Sequence, residues 1–542
     1  MLAFAAGIGL GPAGCGGGSG STAWYLLTGG TRSGGGGASG NAATTGGSLQ
    51  PTAGGDSGGS ESSPPASGGG SSGGMATGGM ATGGAATGGV ADGCTNELAT
   101  GLTLQQIAVY QSVKIPVMTD GAEVAAPSRN ASVVQRRETA LRAFVTVGSD
   151  WVARELSARF VLTPEGGTAA VYYQRKTISQ SSVDADPATT FQVHVPPTGI
   201  LGPLRYSVEV VECTPPSAAA GQARFPAAGD IDLGARATGG LEVRIIPIET
   251  NGLLPDTSDA ALGGYADYLA ALYPITDISF SVGTTLSAAL PLDWNGLLDQ
   301  IRALRASDQP AADVYYFGLV KPADTLAAFC ATDCTTGVGY LVGGATEASV
   351  RAALGVGFAD QISYETMAHE LGHNHGRAHA PCSAAGDITG VDADYPYPGG
   401  LIGSWGYDSR TRALLDPTTH TDMMGYCAHP WISDYTYGAI ATRVAAVNGL
   451  ATARVLGRAA ARWRILLVDQ RGPHWGVPVE REVPPAGEAE RATVYDQTGS
   501  ELATVVVYRT AVADIGASMV MVPEPAPGWH AVSVSGEAPL PF

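Results

Sequence analysis

His369-Glu370-Leu371-Gly372-His373-Asn374-His375-Gly376-Arg377-Ala378-His379 is the stretch on which the rest of the chain is read. His369 and His373 are four residues apart, so on a helix they lie one turn above each other on one face, within reach of a single metal ion. Glu370 points about a quarter-turn away, which sets a carboxylate beside the metal rather than on it, where it can take a proton from water. A helix cannot bring His379 to the same ion, because a rise of about 1.5 Å per residue would carry it roughly 15 Å along the axis. The chain must turn back, and Gly376 permits this because glycine enters left-handed backbone conformations at little steric cost and commonly ends helices. Three neutral histidines leave a fourth position for water, as a catalytic zinc requires. The same residues also suit a solvated histidine-rich helix end or a structural metal site. His375 falls between the ligands and is expected at the surface.

The spacing matches H-E-x-x-H-x-x-G-x-x-H, and in this stretch the chain resembles the metzincin zinc metalloproteases. A bare H-E-x-x-H is a short pattern, whereas the extended form fixes five positions. Downstream, Asp422-Met423-Met424-Gly425-Tyr426-Cys427 is similar to the Ser-x-Met-x-Tyr turns of astacin-like and serralysin-like enzymes, with Asp in place of Ser. The resemblance implies that Met424, with Met423 as the alternative, lies beneath the zinc. It also implies that Tyr426 ligates zinc and swings to stabilise the oxyanion. The continuation Trp431-Ile432-Ser433-Asp434-Tyr435 looks like secreted bacterial metzincins, including the mucin-directed StcE-like group, and the likeness covers roughly residues 241–448. In that family the connection from Asp392 to Gly400 and from Gly403 to Asp408 would wall the pocket after the scissile bond.

Outside this stretch, composition separates a tail from a body. The 542 residues allow three or four domains, and the 76 glycines are concentrated near the N-terminus. Asp and Glu outnumber Lys and Arg by 49 to 30, for a net charge of −19, which argues against nucleic acid and anionic membrane surfaces as partners. Residues 1–15 begin with an apolar, uncharged run too short to span a membrane and similar to the hydrophobic part of a signal peptide. Ala13-Gly14-Cys15 resembles a bacterial lipoprotein processing site, with Pro12 where Leu is usual. Cys15 is therefore the lipidation candidate, with an ordinary secretory signal as the alternative and a lipid anchor as the only expected membrane contact. Residues 16–93 are rich in Gly, Ser, Thr and Ala and carry a five-residue repeat from Met75. They cannot bury enough apolar surface to fold and are expected to be a disordered tether.

Residues 94–240 alternate apolar and polar positions, as in Leu141–Val147, Ala158–Leu162 and Tyr206–Val211. They predict strands with one buried face in an immunoglobulin-like β-sandwich acting as a spacer. Residues 241–450 predict a catalytic α/β domain. Its strands are Leu241–Ile248, Phe280–Val282 and Val314–Val320, and its helices are Asp259–Leu272, Trp294–Arg305, Tyr364–Asn374 (capped by Ser363) and Tyr437–Asn448. Gly339, Tyr340 and Leu341 would form an edge strand to which an extended peptide can add. Residues 451–542 read as a small antiparallel β accessory domain. The fold class is thus a multidomain chain: a metzincin-like α/β domain with a mixed sheet and a zinc helix, flanked by all-β domains and preceded by the tether.

Seven cysteines are present. With Cys15 set aside the other six can pair, and we pair Cys94 with Cys213, Cys330 with Cys334, and Cys382 with Cys427. Metal binding by Cys330 and Cys334 is the competing view, against which no second pair sits at finger spacing. Disulfides place the chain outside the cytoplasm or on the cell envelope. The expected cofactor is one Zn²⁺ per chain on His369, His373 and His379. Ca²⁺ is a second candidate at Asp387, Asp392 and Asp394, whose spacing matches no EF-hand loop. His420 and His429, which flank the methionine turn, are taken as packed or solvated side chains. The expected activity is hydrolysis of peptide bonds in extracellular proteins or glycoproteins, with Glu370 as general base. The rival from another class is a catalytically silent, metal-containing surface protein that binds glycan or protein.

Overall fold

The computed structural model describes residues 92–214, 221–331, 334–383, 390–450, 461–469, 472–481, 485, 487–512 and 517–542. The expectations for the signal segment, Cys15, nearly all of the tether and Asp387 lie outside the described residues. Most regular structure is β, arranged in several sheets.

Two antiparallel sheets open the described chain. The first has the order 413–415, 406–408, 102–119, 139–147, 191–195, and the second the order 170–178, 154–164, 204–212, 224–225. Ile107, Val109, Leu141 and Val145 of the first sheet share a core with Leu156, Phe160, Val208 and Val210 of the second. Alternation along each strand produces this shared face.

Two details differ from the sequence reading. The outer face of the first sheet is buried as well, with Tyr110, Phe144 and Tyr407 clustered there and Arg142 fully enclosed. The Arg142 guanidinium reads as a polar position in a strand, but it donates to Thr190 and Tyr110 and lies over the Phe144 ring, so it is satisfied without water. The second difference concerns Gly406–Asp408, expected in a pocket-walling loop. It is a strand instead, pairing Tyr407 with Ser112 and extending the N-terminal sheet from the far side of the histidine motif.

A third sheet follows, in the order 278–282, 241–250, 314–320, 352–356, 337–339, parallel except for its last strand. Helices α1 (Asp259–Leu272) and α2 (Trp294–Asp308) alternate with its strands. A short α3 (Leu326–Phe329) precedes the edge, α4 is Gln361–Asn374 and α5 is Asp434–Val447. Val243, Ile245, Phe317 and Leu319 pack with α1 and α4, while Ile246, Ile248, Tyr316 and Leu354 pack with Leu297 and Ile301 of α2. The sheet is therefore covered on both faces, and its strands read as nearly continuous apolar runs. Ala352–Val356, short and interrupted by Gly355, carries no strand signal strong enough to stand out in the sequence. The edge strand is Gly337–Gly339, so Tyr340 and Leu341 lie just past its end. Gly355 has a steric reason: a Cβ there would lie 2.7 Å from Thr366 of α4.

The C-terminal strands form one antiparallel sheet of seven. One of its faces, with Ile465, Leu467, Met519 and Met521, joins the α2 core; the other, with Leu466, Val494, Val507 and Val520, builds a core of its own.

The N-terminal sheets share hydrogen bonds and a hydrophobic core with residues 241–450. Trp431 Nε1 donates to Ser112 O at 2.8 Å, and Ser112 Oγ donates to Ala271 O at 2.6 Å. The buried Arg137 guanidinium donates to the Tyr273 and Ile275 carbonyls just past the end of α1, where a cation also complements the helix dipole. One hydrophobic cluster runs from Ile107 and Phe160 through Tyr268 to Met367 and Trp431. Residues 241–450 produced without 92–240 are accordingly expected to aggregate or to lack a near-UV circular dichroism signal. A cooperative thermal transition in that fragment would overturn this.

His194 ties the outer face of the first sheet together, its Nδ1 3.1 Å from the Tyr407 hydroxyl. Burial, and secondarily the charge of Arg412, pushes its pKa down to about 4 from an ordinary 6.5. Between those values the unfolded chain binds the proton and the folded chain does not, so His194 costs stability as pH falls from 6.5 towards 4 and nothing further below. His194→Gln is expected to flatten the acid-side loss of stability measured by urea unfolding at pH 7 and pH 4.5.

Candidate metal centre

Helix α4 begins earlier than its sequence suggests. Asp360, not Ser363, is the N-cap: its carboxylate accepts from Ser363 N at 2.9 Å and from Ser363 Oγ at 2.8 Å. Ser363 Oγ in turn accepts from Phe358 N, two residues ahead of the cap, and Ser363 sits inside the first turn. The helix ends as the glycine predicts. Gly376 has φ +82°, its N–H reaches His373 O, and Arg377 N reaches Gly372 O, which together make a Schellman turn. A side chain at Gly376 would also meet Val342 O at 2.8 Å and the Arg443 guanidinium at 2.7 Å.

Past this turn the chain doubles back, and His369, His373 and His379 converge with one nitrogen of each within 4.8 Å of the others. All three are buried. His369 Nδ1 lies 2.8 Å from Met423 O, and His373 Nδ1 lies 2.7 Å from Arg377 O. A carbonyl oxygen can only accept, so Nδ1 carries the proton in both rings and Nε2 presents its lone pair to the centre. Burial, followed by the neighbouring histidine charges, holds the His369 pKa down to about 3 and that of His373 well below its ordinary value. Both rings are therefore neutral, the form that ligates metal.

His373 Nε2 is buried and has no hydrogen-bond partner. Such an orphan costs about 1–3 kcal/mol unless something binds it. A soft-to-borderline cation at the centre of three imidazoles fits, and the all-nitrogen donor set suits zinc better than a hard, oxygen-seeking ion. Among the described residues this is the one group of three or more His, Cys, Asp or Glu side chains arranged to hold a metal. Asp392, a calcium candidate in the sequence, has its oxygens engaged by Arg377, Tyr435 and Asp394 N.

Tyr426 completes the ring of donors, its hydroxyl 2.8 Å from His379 Nε2 and 3.4 Å from His369 Nε2. The turn that carries it packs directly beneath α4. A Cβ on Gly372 would lie 2.4 Å from Met424 Sδ, while Met423 supplies the carbonyl that orients His369. The two methionines thus divide the contacts between sulfur and backbone. Asp422, which stands where the similar turns have Ser, is fully buried and accepts from Met424 N at 2.8 Å and Ser433 N at 2.9 Å.

Glu370 is buried against the sheet edge. Cβ atoms on Gly337 and Gly339 would lie 2.8 Å and 3.0 Å from its carboxylate oxygens, so only a Gly-x-Gly edge leaves room for the glutamate. Asn374 donates to Tyr340 O, and Arg443 of α5 donates to Val342 O and Gly343 O, fixing the segment that continues that edge.

His375 is the clear correction. It is buried, stacked on Tyr315 with ring centroids 4.9 Å apart, and its Nδ1 is 2.7 Å from Leu371 O. It does face away from the metal centre, but that side of α4 meets the sheet rather than solvent. His420 and His429 lie near each other, ring centroids 5.7 Å apart, outside the three-histidine cluster. The structure brings Cys94 to Cys213, Cys330 to Cys334 and Cys382 to Cys427 as disulfides. Three disulfides suit an oxidising, extracellular setting. Among the described residues no helix is long and apolar enough to cross a membrane. Gly337, Arg443 and the Arg377–Asp392 pair were missed in the sequence, as were the part Gly339 plays in making room for Glu370 and the hydrogen bonds of Asp422. Only the Gly-x-Gly spacing left a signal there.

Geometry and donor set together fit a zinc metallopeptidase. The family model Peptidase M66, a zinc metallopeptidase family, matches residues 333–430, which contain the edge strand, the three histidines and the methionine turn. No curated protein matches the chain. A solved structure described as a chaperone–substrate complex is similar at 14% identity over 40% of this chain and 36% of that chain, with a TM-score of 0.21. This chain thus spans about a third of the length of that one, and a likeness so slight carries no argument about fold.

Gly339→Ala is expected to cost about 1–3 kcal/mol, because its Cβ would press on the Glu370 backbone oxygen at 2.9 Å as well as on the carboxylate. Gly263→Ala in α1 meets nothing within 4 Å and should be neutral or stabilising by up to about 1 kcal/mol. Urea midpoints at an unchanged m-value measure both.

Proposed function

We propose that the chain is a metzincin-type, zinc-dependent endopeptidase that hydrolyses peptide bonds of extracellular proteins or glycoproteins. The observation that carries this reading is the convergence of the three imidazoles on one centre. His373 Nε2 is orphaned there, the Tyr426 hydroxyl lies 2.8 Å from His379 Nε2, and Glu370 is the residue next to His369 on α4. His369, His373 and His379 would hold one Zn²⁺ through their inward nitrogens. When bound, that ion supplies a Lewis acid and lowers the pKa of water towards about 7.

The chain's own residues do the rest. Glu370, pressed between α4 and the glycine edge, accepts a proton from the attacking water as its oxygen bonds to the scissile carbonyl carbon. The same proton then passes to the leaving nitrogen as the C–N bond breaks, which returns Glu370 to its carboxylate form. The Tyr426 hydroxyl, 2.8 Å from His379 Nε2, donates to the oxyanion that develops on the carbonyl oxygen. Gly337–Gly339 is the terminal strand of its sheet and lies against Glu370. An extended substrate adding along Gly339, Tyr340 and Leu341 would therefore be delivered to the reacting groups. The disulfides support a secreted or envelope-attached enzyme, with residues 16–93 as tether and Cys15 as the anchor point.

Glu370→Gln is expected to retain one zinc per chain and to lose about 10²–10⁴-fold in turnover of a broad peptide library. Tyr426→Phe should lower kcat by about 10²-fold with KM little changed. Wild-type rates in Glu370→Gln would refute the assignment of the base. A zinc-loaded wild type that cleaves nothing would refute the peptidase reading.

A further inference from the structure

His379 reaches the centre from outside the helix that carries the other two histidines, and the extended segment around it is held on both sides. On one edge lies the methionine turn: Ala380 N donates to Met424 O at 3.0 Å, Tyr426 N donates to Cys382 O at 2.7 Å, and Cys382–Cys427 closes the link covalently. On the other edge, His379 N donates to Gly390 O at 3.0 Å and Asp392 N donates to His379 O at 2.8 Å. This second edge is anchored by the Asp392 carboxylate. Its Oδ2 accepts from Arg377 Nη2 at 2.7 Å and from the Tyr435 hydroxyl at 3.0 Å. The Arg377 guanidinium also lies 4.8 Å from the centroid of the Tyr435 ring. Arg377 and Asp392 are largely shielded, with side chains 13% and 16% exposed.

Arg377 occupies the turn that ends α4, and its backbone carbonyl is the acceptor that orients His373. One residue therefore touches the supports of two histidines: through its carbonyl the ring of His373, and through its side chain the segment that backs His379. Resting on the zinc reading above, we propose that Arg377, Asp392 and Tyr435 are positioning residues that fix His379 relative to His373 and so set the metal affinity of the site. A shielded pair of this kind is costly to break from one side, since the remaining charge is left without its partner. Groups that orient ligands from behind typically govern metal affinity by 10–100-fold. The disulfide secures one side of the segment around His379 and this ion pair secures the other.

The test is zinc affinity of the full chain by chelator competition, together with the visible spectrum of the Co²⁺-substituted protein. Arg377→Met and Asp392→Asn are each expected to weaken zinc binding about 10–100-fold and to alter the Co²⁺ bands. The double variant should be no weaker than the worse single one, because each change breaks the same link. Tyr435→Phe, which keeps the ring under Arg377 and removes one hydrogen bond, should lose only a few-fold. Arg377→Lys serves if the methionine variant does not fold, since it keeps the charge but loses the planar fork, and it is expected to fall between wild type and Asp392→Asn. Zinc affinity within twofold of wild type in Asp392→Asn and Arg377→Lys, with unchanged Co²⁺ bands, would overturn the proposal even if thermal stability fell. Failure of the wild type to bind zinc at all would instead overturn the reading on which it rests.

Discussion

Two imidazoles one turn apart on a helix make half of a metal site, and the other half has to come from a chain that has stopped being a helix. That requirement organises the centre of this molecule. The Schellman turn at Gly376 ends α4 within two residues of His373, and the reversal it starts brings His379 back to the same point. Each imidazole on α4 is then aimed from behind by a carbonyl, one from the methionine turn and one from the helix-ending turn itself. The carbonyls fix the tautomer as well as the orientation, because an oxygen that can only accept forces the proton onto Nδ1 and leaves Nε2 as the donor to metal. Burial adds to this by keeping His369 and His373 neutral.

Close approach is the second constraint. Helix α4 lies flush against the sheet edge on one side and the methionine turn on another, and glycine occupies the points of nearest contact: Gly337, Gly339 and Gly355 on the strands, Gly372 on the helix. Each removes a methyl that would otherwise stand between the groups of the site. The chemistry therefore depends on backbones nearly touching, a condition that also keeps the Glu370 carboxylate out of bulk water.

The extent of the supporting structure is larger than the 98 residues around the motif. Tyr407 and its neighbours leave the histidine region to join a sheet built mainly from residues 102–195. Trp431, next to the methionine turn, is hydrogen-bonded to Ser112. The carboxyl-terminal sheet contributes Ile465, Leu467, Met519 and Met521 to the core around α2. The metal centre sits in a body whose hydrophobic clusters cross the boundaries read from the sequence near residues 240 and 450.

By itself the sequence determined the local features: α1 and the strand Val314–Val320 to the residue, the ligand trio and the helix-ending glycine. These follow from periodicity, spacing and the conformational freedom of glycine, which neighbours in the chain decide. Tertiary structure alone decided which face of α4 meets the sheet, so that His375 is buried on Tyr315 rather than exposed. It also decided that Asp360 rather than Ser363 caps the helix, that Asp422 holds the methionine turn, and that Arg377 meets Asp392. Those outcomes depend on pairs that are distant in sequence or on competition between two adjacent caps. A hydrogen bond or a shared core between such residues leaves no periodic trace along the chain. That is also why a segment written as a loop, Gly406–Asp408, became a strand once Ser112 was beside it.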